Sequence, residues 1–369
     1  MNQLATYYKI VLEGNHYDIG KKRGEHIMKY TPLLKQWLMS RPDGVPALTK
    51  EEAEAKCALF EKYSTGLGEE VRGLADGLEI ALQDLGIVLN GYAKQLPCAC
   101  SVIGIAAEKT TDGHAYMGQS YEYSYEDEYA FTIQRAEGSY AHMGFSFYQV
   151  GRFDGINELG LCVAITCLDF AEPSAGEAEG FSFPFIVRIL LDTCSSTKEA
   201  IAKMKTLPIC TNANILIGDV SGNIIKAEIL TKDGKADIME SKASPFTYGF
   251  NHFMEKGHRE RYPAKRYFTQ AREEFMNEIS ARGNKISRGG LQQILTTPLP
   301  NGMSCHAYSS YFGTLRSMIY DVTASKLYVC FGSPQQYEYV KMDLWEKESS
   351  KEIVEFTDEI MPKHFWEFV

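Results

Sequence analysis

Apolar and polar positions along the chain change period near residue 100. Residues 7–12 alternate, Tyr7, Lys9 and Val11 against Tyr8, Ile10 and Leu12, which predicts a short buried strand closed by Glu13-Gly14-Asn15. Residues 17–39 then place Ile19, Ile27, Tyr30, Leu33, Leu34 and Leu38 near i, i+3, i+4 spacing and read as one helix. Thr49-Lys50-Glu51-Glu52 is a capping box opening a helix to about residue 63. Residues 69–77 and 82–96 read as two more helices, so residues 1–99 are expected to be mainly helical.

From Cys100 the period falls to two. Residues 101–107 and 114–123 flank Lys109-Thr110-Thr111-Asp112-Gly113, a hairpin turn whose Asp-Gly pair supplies positive φ. Residues 129–135 and 140–148 form a second pair, and Asn157-Glu158-Leu159-Gly160 turns into the apolar strand 161–168. Residues 171–180 are small and acidic and predict an exposed loop. Helices follow at 184–193 and from a Ser196 cap to about 207, then strands at 214–218, 224–230 and 246–252. Helices at 263–279 and 288–296 precede closing strands at 308–312, 317–321, 327–331 and 337–344. This order predicts an α+β layered core, with antiparallel sheets inside and helices outside.

Composition narrows the function. A 44% hydrophobic share over 369 residues supports a substantial core. A net charge of −10 without a long Lys/Arg run argues against a nucleic-acid or anionic-membrane surface. No signal peptide is visible at the start, and no apolar run approaches the ~18–20 residues that span a bilayer. Nine cysteines, an odd number, then predict reduced thiols and a cytoplasmic protein. Cys98/Cys100 and Cys162/Cys167 lack the paired spacing of zinc sites, so no metal is expected. No phosphate loop opens a helix after a strand, so no nucleotide cofactor is expected either.

Cys100 stands at the change of period and has two readings. Free Cys is among the most buried residue types, so it fits a sheet interior. Alternatively, a backbone cut before it makes an amino terminus carrying both a thiol, with pKa ~8.5, and an amine, with pKa ~7.7–8.0. One residue then supplies nucleophile and general base, with no separate His.

The surrounding motifs favour the second reading. Glu13-Gly14-Asn15-His16-Tyr17-Asp18-Ile19-Gly20 with Arg23-Gly24, Cys100-Ser101, Asp112-Gly113 and Gly118-Gln119-Ser120-Tyr121-Glu122-Tyr123 occur in order. Asn157-Glu158-Leu159-Gly160-Leu161, Phe250-Asn251-His252-Phe253, residues 315–321 and Gly332-Ser333-Pro334 follow. Together they resemble the isopenicillin N acyltransferase-like family of N-terminal nucleophile (Ntn) hydrolases, distantly related to choloylglycine hydrolases and penicillin V acylases. The resemblance implies a four-layer αββα sandwich and a precursor that cuts itself between Ala99 and Cys100. The pieces would be 1–99 and 100–369, of 99 and 270 (369 − 99) residues, staying together as one domain.

Carried over residue by residue, the resemblance makes Cys100 the nucleophile. Cys98 is set aside, because Pro97 precedes it and the pattern is Cys-Ser. Glu122 stands where the family has an Asp that orients the amine. Gln119 stands where the bile salt branch has Arg, which weighs against bile salts. Ser120 and Thr166 stand where Asn is usual. Thr166 would be an oxyanion donor, and Asn251 is the preferred side-chain donor. Arg266 falls where the family has a helical Arg, with Arg261 close by, and Gln119, Ser120 and Tyr121 are expected to meet substrate. His252 and His306 are expected to be satisfied polar residues near the pocket.

The expected activity is self-processing cysteine amidohydrolysis of a linear, non-peptide amide. The alternatives are acyl transfer from coenzyme A to an amine, and a silent binding member, which Ser120, Glu122 and Thr166 suggest. The expected partner is a small-molecule amide or acyl donor, with neither nucleic acid nor membrane. The sequence leaves oligomeric state, including a homo-oligomer, open.

Overall fold

A computed structural model of the chain describes residues 3–41, 46–90, 99–127, 129–147, 149–168, 180–232, 235–359 and 363–369. Two sheets lie face to face between helical layers. The first runs Lys235–Glu240, Ile224–Lys232, Ala213–Gly218, Cys162–Cys167, Asp154–Asn157, His142–Phe147, Ala130–Ala136, Gln3–Gly14 and Ser350–Phe356, edge to edge. The second runs Phe246–Gly249, Ala99–Ile105, Tyr116–Tyr123, Phe312–Asp321, Lys326–Phe331 and Val340–Lys341. The fold is the α+β sandwich that the alternating pattern predicts.

Side-chain alternation on the second sheet sorts residues into two cores. Cys100, Val102, Met117 and Tyr121 face inward and share a core with Phe145, Val163 and Ile165 of the first sheet. Ile103, Ile105, Tyr116 and Ile319 face outward and pack on Met276, Leu291 and Leu295. Those three come from the helices Tyr267–Arg282 and Arg288–Thr296. Among the described residues no helix is long and apolar enough to cross a membrane.

Several elements differ from expectation. The helix expected at 17–39 is two, His16–Tyr30 and Leu33–Met39, because Pro32 cannot continue the hydrogen-bond ladder and Thr31 is non-helical (φ −140°, ψ 53°). Pro263 likewise lies between helices Lys256–Arg261 and Tyr267–Arg282 rather than inside one. The strand expected at 308–312 is a 3-10 turn, and the strand proper is Phe312–Asp321. Of 82–96, the described part forms a 3-10 turn and the short helix Gly86–Asn90. Residues 91–98, including Cys98, and 171–179 of the expected acidic loop lie outside the described residues.

The segment before residue 100 is not an add-on. Its strand Gln3–Gly14 pairs in parallel with Ala130–Ala136 and antiparallel with Ser350–Phe356, a strand the sequence reading omits. That edge strand exposes Ser350, Lys351, Glu352 and Ile353, so it shows little apolar alternation. Helix His16–Tyr30 crosses helix Leu67–Gly77 almost backbone to backbone. A Cβ at Gly20 would sit 1.9 Å from the Glu70 carbonyl oxygen, and one at Gly73 would sit 2.0 Å from that of Tyr17. The early Gly20 and Gly24 motif is thus a packing requirement.

This close crossing delivers a buried carboxylate. Glu70 receives Arg188 Nη2 at 2.7 Å, Arg188 Nη1 at 3.1 Å, Gln134 Nε2 at 2.8 Å and Arg23 Nη2 at 3.4 Å. Arg188 Nε also reaches Asp192 at 2.8 Å, and His142 Nε2 lies 3.0 Å from the same carboxyl. Burial alone would raise both acids. Arg188 and its neighbours override it, holding Glu70 well below the ordinary carboxylate range and Asp192 at about 2.

These groups bind fewer protons folded than unfolded, so their stabilisation is complete above the unfolded values near ~4 and is lost as pH falls through the folded ones. Glu70→Ala is expected to lower unfolding free energy by about 3–5 kcal/mol at neutral pH, the cost of stranding buried Arg188 and Arg23. The gap to the unaltered chain should narrow as pH drops below about 4. Urea titrations of both proteins at pH 7 and pH 3 measure this.

Candidate active site

Cys100 is the second residue of strand Ala99–Ile105 and is fully buried. Across the ladder Ala99 faces Glu122, Cys100 faces Tyr121, Ser101 faces Ser120, and Val102 faces Gln119. Strand alternation therefore puts the thiol on the inner face with Tyr121 and Gln119. Ser120 and Glu122 lie on the opposite, helix-covered face with Ala99. The residues expected together as one constellation divide between two sides of the same sheet.

The backbone at Cys100 is held from the turn that follows the neighbouring strand Phe246–Gly249. The Cys100 amide donates to Asn251 Oδ1 at 2.8 Å, and Asn251 Nδ2 donates to the Cys167 carbonyl at 2.8 Å. Asn251 thus ties the start of the Cys100 strand to the end of strand Cys162–Cys167 in the other sheet. Behind it, the Asn251 amide donates to Thr269 Oγ1 at 3.1 Å. The same oxygen lies 2.7 Å from His252 Nδ1, and His252 Nε2 lies 3.0 Å from Glu273 Oε2, so a hydrogen-bonded chain runs from Asn251 to Glu273. Burial lowers His252 below the ordinary imidazole value, although the Glu273 carboxylate opposes the shift. Burial would raise Glu273, but His252 and Lys265 bring it to about 2.

Glu122 has its own shell on the outer face. Its Oε1 accepts from Ser120 Oγ and from Thr314 Oγ1 at 3.2 Å, and Arg272 Nη2 lies 2.9 Å from Oε2. Burial lifts this carboxyl above its ordinary range, although Arg272 and the hydroxyls oppose the shift. Arg272 also donates to the Met303 carbonyl.

The other expected residues fall as follows. Gln119 Nε2 crosses between the sheets to the Ile165 carbonyl at 2.9 Å. Thr166 Oγ1 donates to the Phe250 carbonyl at 2.9 Å and accepts from Asn214 Nδ2 at 3.1 Å, so its hydrogen is spent on bracing the turn that carries Asn251. Arg266 stands just before its helix without a side-chain cap bond, donates to the Trp366 carbonyl at 2.9 Å and stacks on Phe368 at 4.4 Å. The arginine at Glu122 is Arg272, six residues further along that helix. Its signal was present, a charge between Phe268 and Met276 on one i, i+4 stripe. His306 is paired with Glu359 and Ser333. Asn157 is structural, its amide donating to the Leu191 and Cys194 carbonyls at 2.9 and 2.8 Å.

Among the described residues no group of three or more His, Cys, Asp or Glu side chains is placed to hold a metal ion. The eight described cysteines are free thiols. The chemistry available is that of a buried thiol at a strand start, with its amide nitrogen held by a side-chain carbonyl and a carboxylate–guanidinium pair behind the preceding residue.

The chain resembles several solved structures at low identity. A conjugated bile acid hydrolase from Clostridium perfringens aligns at 14% identity over 71% of this chain and 99% of its own, with a TM-score of 0.46. An N-acylethanolamine-hydrolyzing acid amidase orthologue from Caenorhabditis elegans aligns at 12% over 61% and 93%, with a TM-score of 0.40. A penicillin V acylase from Agrobacterium tumefaciens aligns at 14% over 63% and 82%, with a TM-score of 0.38. No curated protein sequence matches the chain. The model of one protein family matches residues 109–336, a stretch that begins after Cys100 and takes in Glu122, Thr166, Asn251 and Arg272. With well over half of its length matched, the chain belongs to the acyl-coenzyme A:6-aminopenicillanic acid acyl-transferase family.

Proposed function

We propose that this protein is a cysteine Ntn amidohydrolase that cuts itself between Ala99 and Cys100 and then hydrolyses a linear, non-peptide amide through an acyl-enzyme on Cys100. The observation that carries this reading is the 2.8 Å hydrogen bond from the Cys100 amide to Asn251 Oδ1. It aims a side-chain acceptor at the one nitrogen that becomes an amine when the bond is cut.

In the first reaction Cys100 Sγ adds to the Ala99 carbonyl, and the Cys100 nitrogen leaves with a proton as a free amine. The resulting thioester is hydrolysed by water, which leaves an Ala99 carboxylate and a free thiol. In turnover the amine, kept beside Sγ by Asn251 Oδ1, takes the thiol proton as Sγ adds to the substrate carbonyl. It returns that proton to the departing amine, and water then releases the acid. Residues 1–99 stay bound after the cut, because strand Gln3–Gly14 lies within the sheet and Glu70 is locked to Arg188.

Acyl transfer is the second reading, with an amine in place of water at the last step, and the description of the matched family supports it. Assays of the processed protein with an N-acyl amide, with and without a competing amine, separate the two by product.

Intact-mass measurement of the purified protein is expected to find two species, 1–99 and 100–369, that co-elute in gel filtration. The Cys100→Ala chain should remain full length. Splitting of that variant would move the chemistry to Cys98 or to an outside protease, and a persistently intact wild-type chain would sink the proposal. Asn251→Ala is expected to slow self-cleavage by about 10-fold or more, the equivalent of losing one directed hydrogen bond, in a time course from freshly refolded protein.

A further inference from the structure

Among the described residues five arginines are fully buried, and four of them donate to at least one protein acceptor, although Arg23 Nε and Arg272 Nε and Nη1 go unmatched. Arg23 donates to Gln134 and Glu70, Arg152 to Thr132 and Ser146, Arg188 to Glu70 and Asp192, and Arg272 to Met303. Arg316 is the exception. No protein group among the described residues accepts a hydrogen bond from its Nε, Nη1 or Nη2. Its guanidinium instead stacks on aromatic faces, 3.9 Å from the Tyr121 ring, 4.1 Å from Phe145 and 5.5 Å from Phe153. Aromatic faces and the Asp127 carboxylate 3.6 Å away return less than five unmatched N–H donors on three nitrogens lose, so burial at this point is not explained by folding alone.

The ladder explains where that guanidinium points. Arg316 pairs with Tyr121, and Tyr121 pairs with Cys100, so the three form one row across adjacent strands. Two strand spacings separate the Cα atoms of Cys100 and Arg316, about 10 Å. A β-bulge lies between Thr314 and Arg316. Without it, Thr314 and Arg316 would share a face. With it, Thr314 turns outward to Glu122 and Arg316 turns inward onto the face that carries the thiol, the kind of re-aiming that bulges produce next to active sites. The acidic neighbours leave the fork open. Asp127 Oδ2 is 3.6 Å from Nη1, beyond hydrogen-bond reach, and burial lifts the Asp154 carboxyl to about 6 despite Arg316.

We propose that Arg316 sets substrate specificity by binding a carboxylate on the substrate, within one side-chain length of the scissile amide. The assignment rests on the amidohydrolase reading above. A planar fork with free donors over an aromatic floor is suited to bidentate carboxylate recognition, which Lys does not reproduce.

Two matched pairs test it with the purified protein. N-butyrylglycine against N-butyrylpropylamine puts the charge on the amine side. N-glutarylpropylamine against N-hexanoylpropylamine puts it on the acyl side. In one pair the acid is expected to be favoured in kcat/KM by on the order of 100-fold or more, and the preference should fall below about 5-fold in Arg316→Lys and Arg316→Met. Ratios near one in both pairs, or a preference that survives Arg316→Met, would overturn the assignment. The wild-type ratios alone decide if the variants do not fold. If none of the four amides turns over, calorimetric titration of glutarate takes their place. Saturable binding that Arg316→Met abolishes keeps the assignment while the amidohydrolase reading falls, and no binding removes both.

Discussion

A carboxylate taken out of water has to be paired, and Glu70 is where this chain meets that demand. Its partners come from far apart in sequence: Arg23 from the first helix, Gln134 from a central strand and Arg188 from the helix Phe183–Thr193. Neither arginine can be withdrawn without leaving the carboxylate short of countercharge in a dry interior. The network therefore fixes how the first hundred residues sit against the rest, and the first sheet closes around the strand Gln3–Gly14. A cut before Cys100 would sever one covalent bond and leave these ties intact.

A second constraint acts on the other sheet. Strand alternation allots each side chain to one face, and the candidate chemistry uses both. Cys100, Gln119 and Tyr121 look into the space between the sheets, while Ser120 and Glu122 look toward the helix that supplies Arg272. Asn251 links the sheets by accepting from Cys100 and donating to Cys167. The bulge after Thr314 completes the division, sending one hydroxyl to Glu122 and one guanidinium to the thiol side. The geometry is thus set by parity along strands as much as by residue identity.

Much of this was legible beforehand, and the failures have physical causes. Short apolar runs around an Asp-Gly turn located the hairpin that carries Cys100, because strands buried on both faces are apolar nearly throughout and bounded by turn residues. Arg266 drew attention through its motif, but the helix begins after it, and Arg272 is the residue that turns toward Glu122. Thr166 sits at the expected strand end, yet its hydroxyl is committed to the Phe250 carbonyl, a partner 84 residues away. The edge strand Ser350–Phe356 was missed because its first four residues are exposed on both faces, which removes the apolar alternation.

Sequence alone determined most of the elements, the helix-to-strand change at Cys100 and the motifs that mark the family. These are local properties, written in period, turn chemistry and side-chain size. Tertiary structure alone decided which residues meet: that Glu70 pairs with Arg188, that Asn251 holds the Cys100 amide, and that Arg316 joins the thiol's row through one inserted residue. Such contacts depend on register and bulges between distant strands, where a one-residue shift reverses every face. No pattern within a single segment encodes that shift.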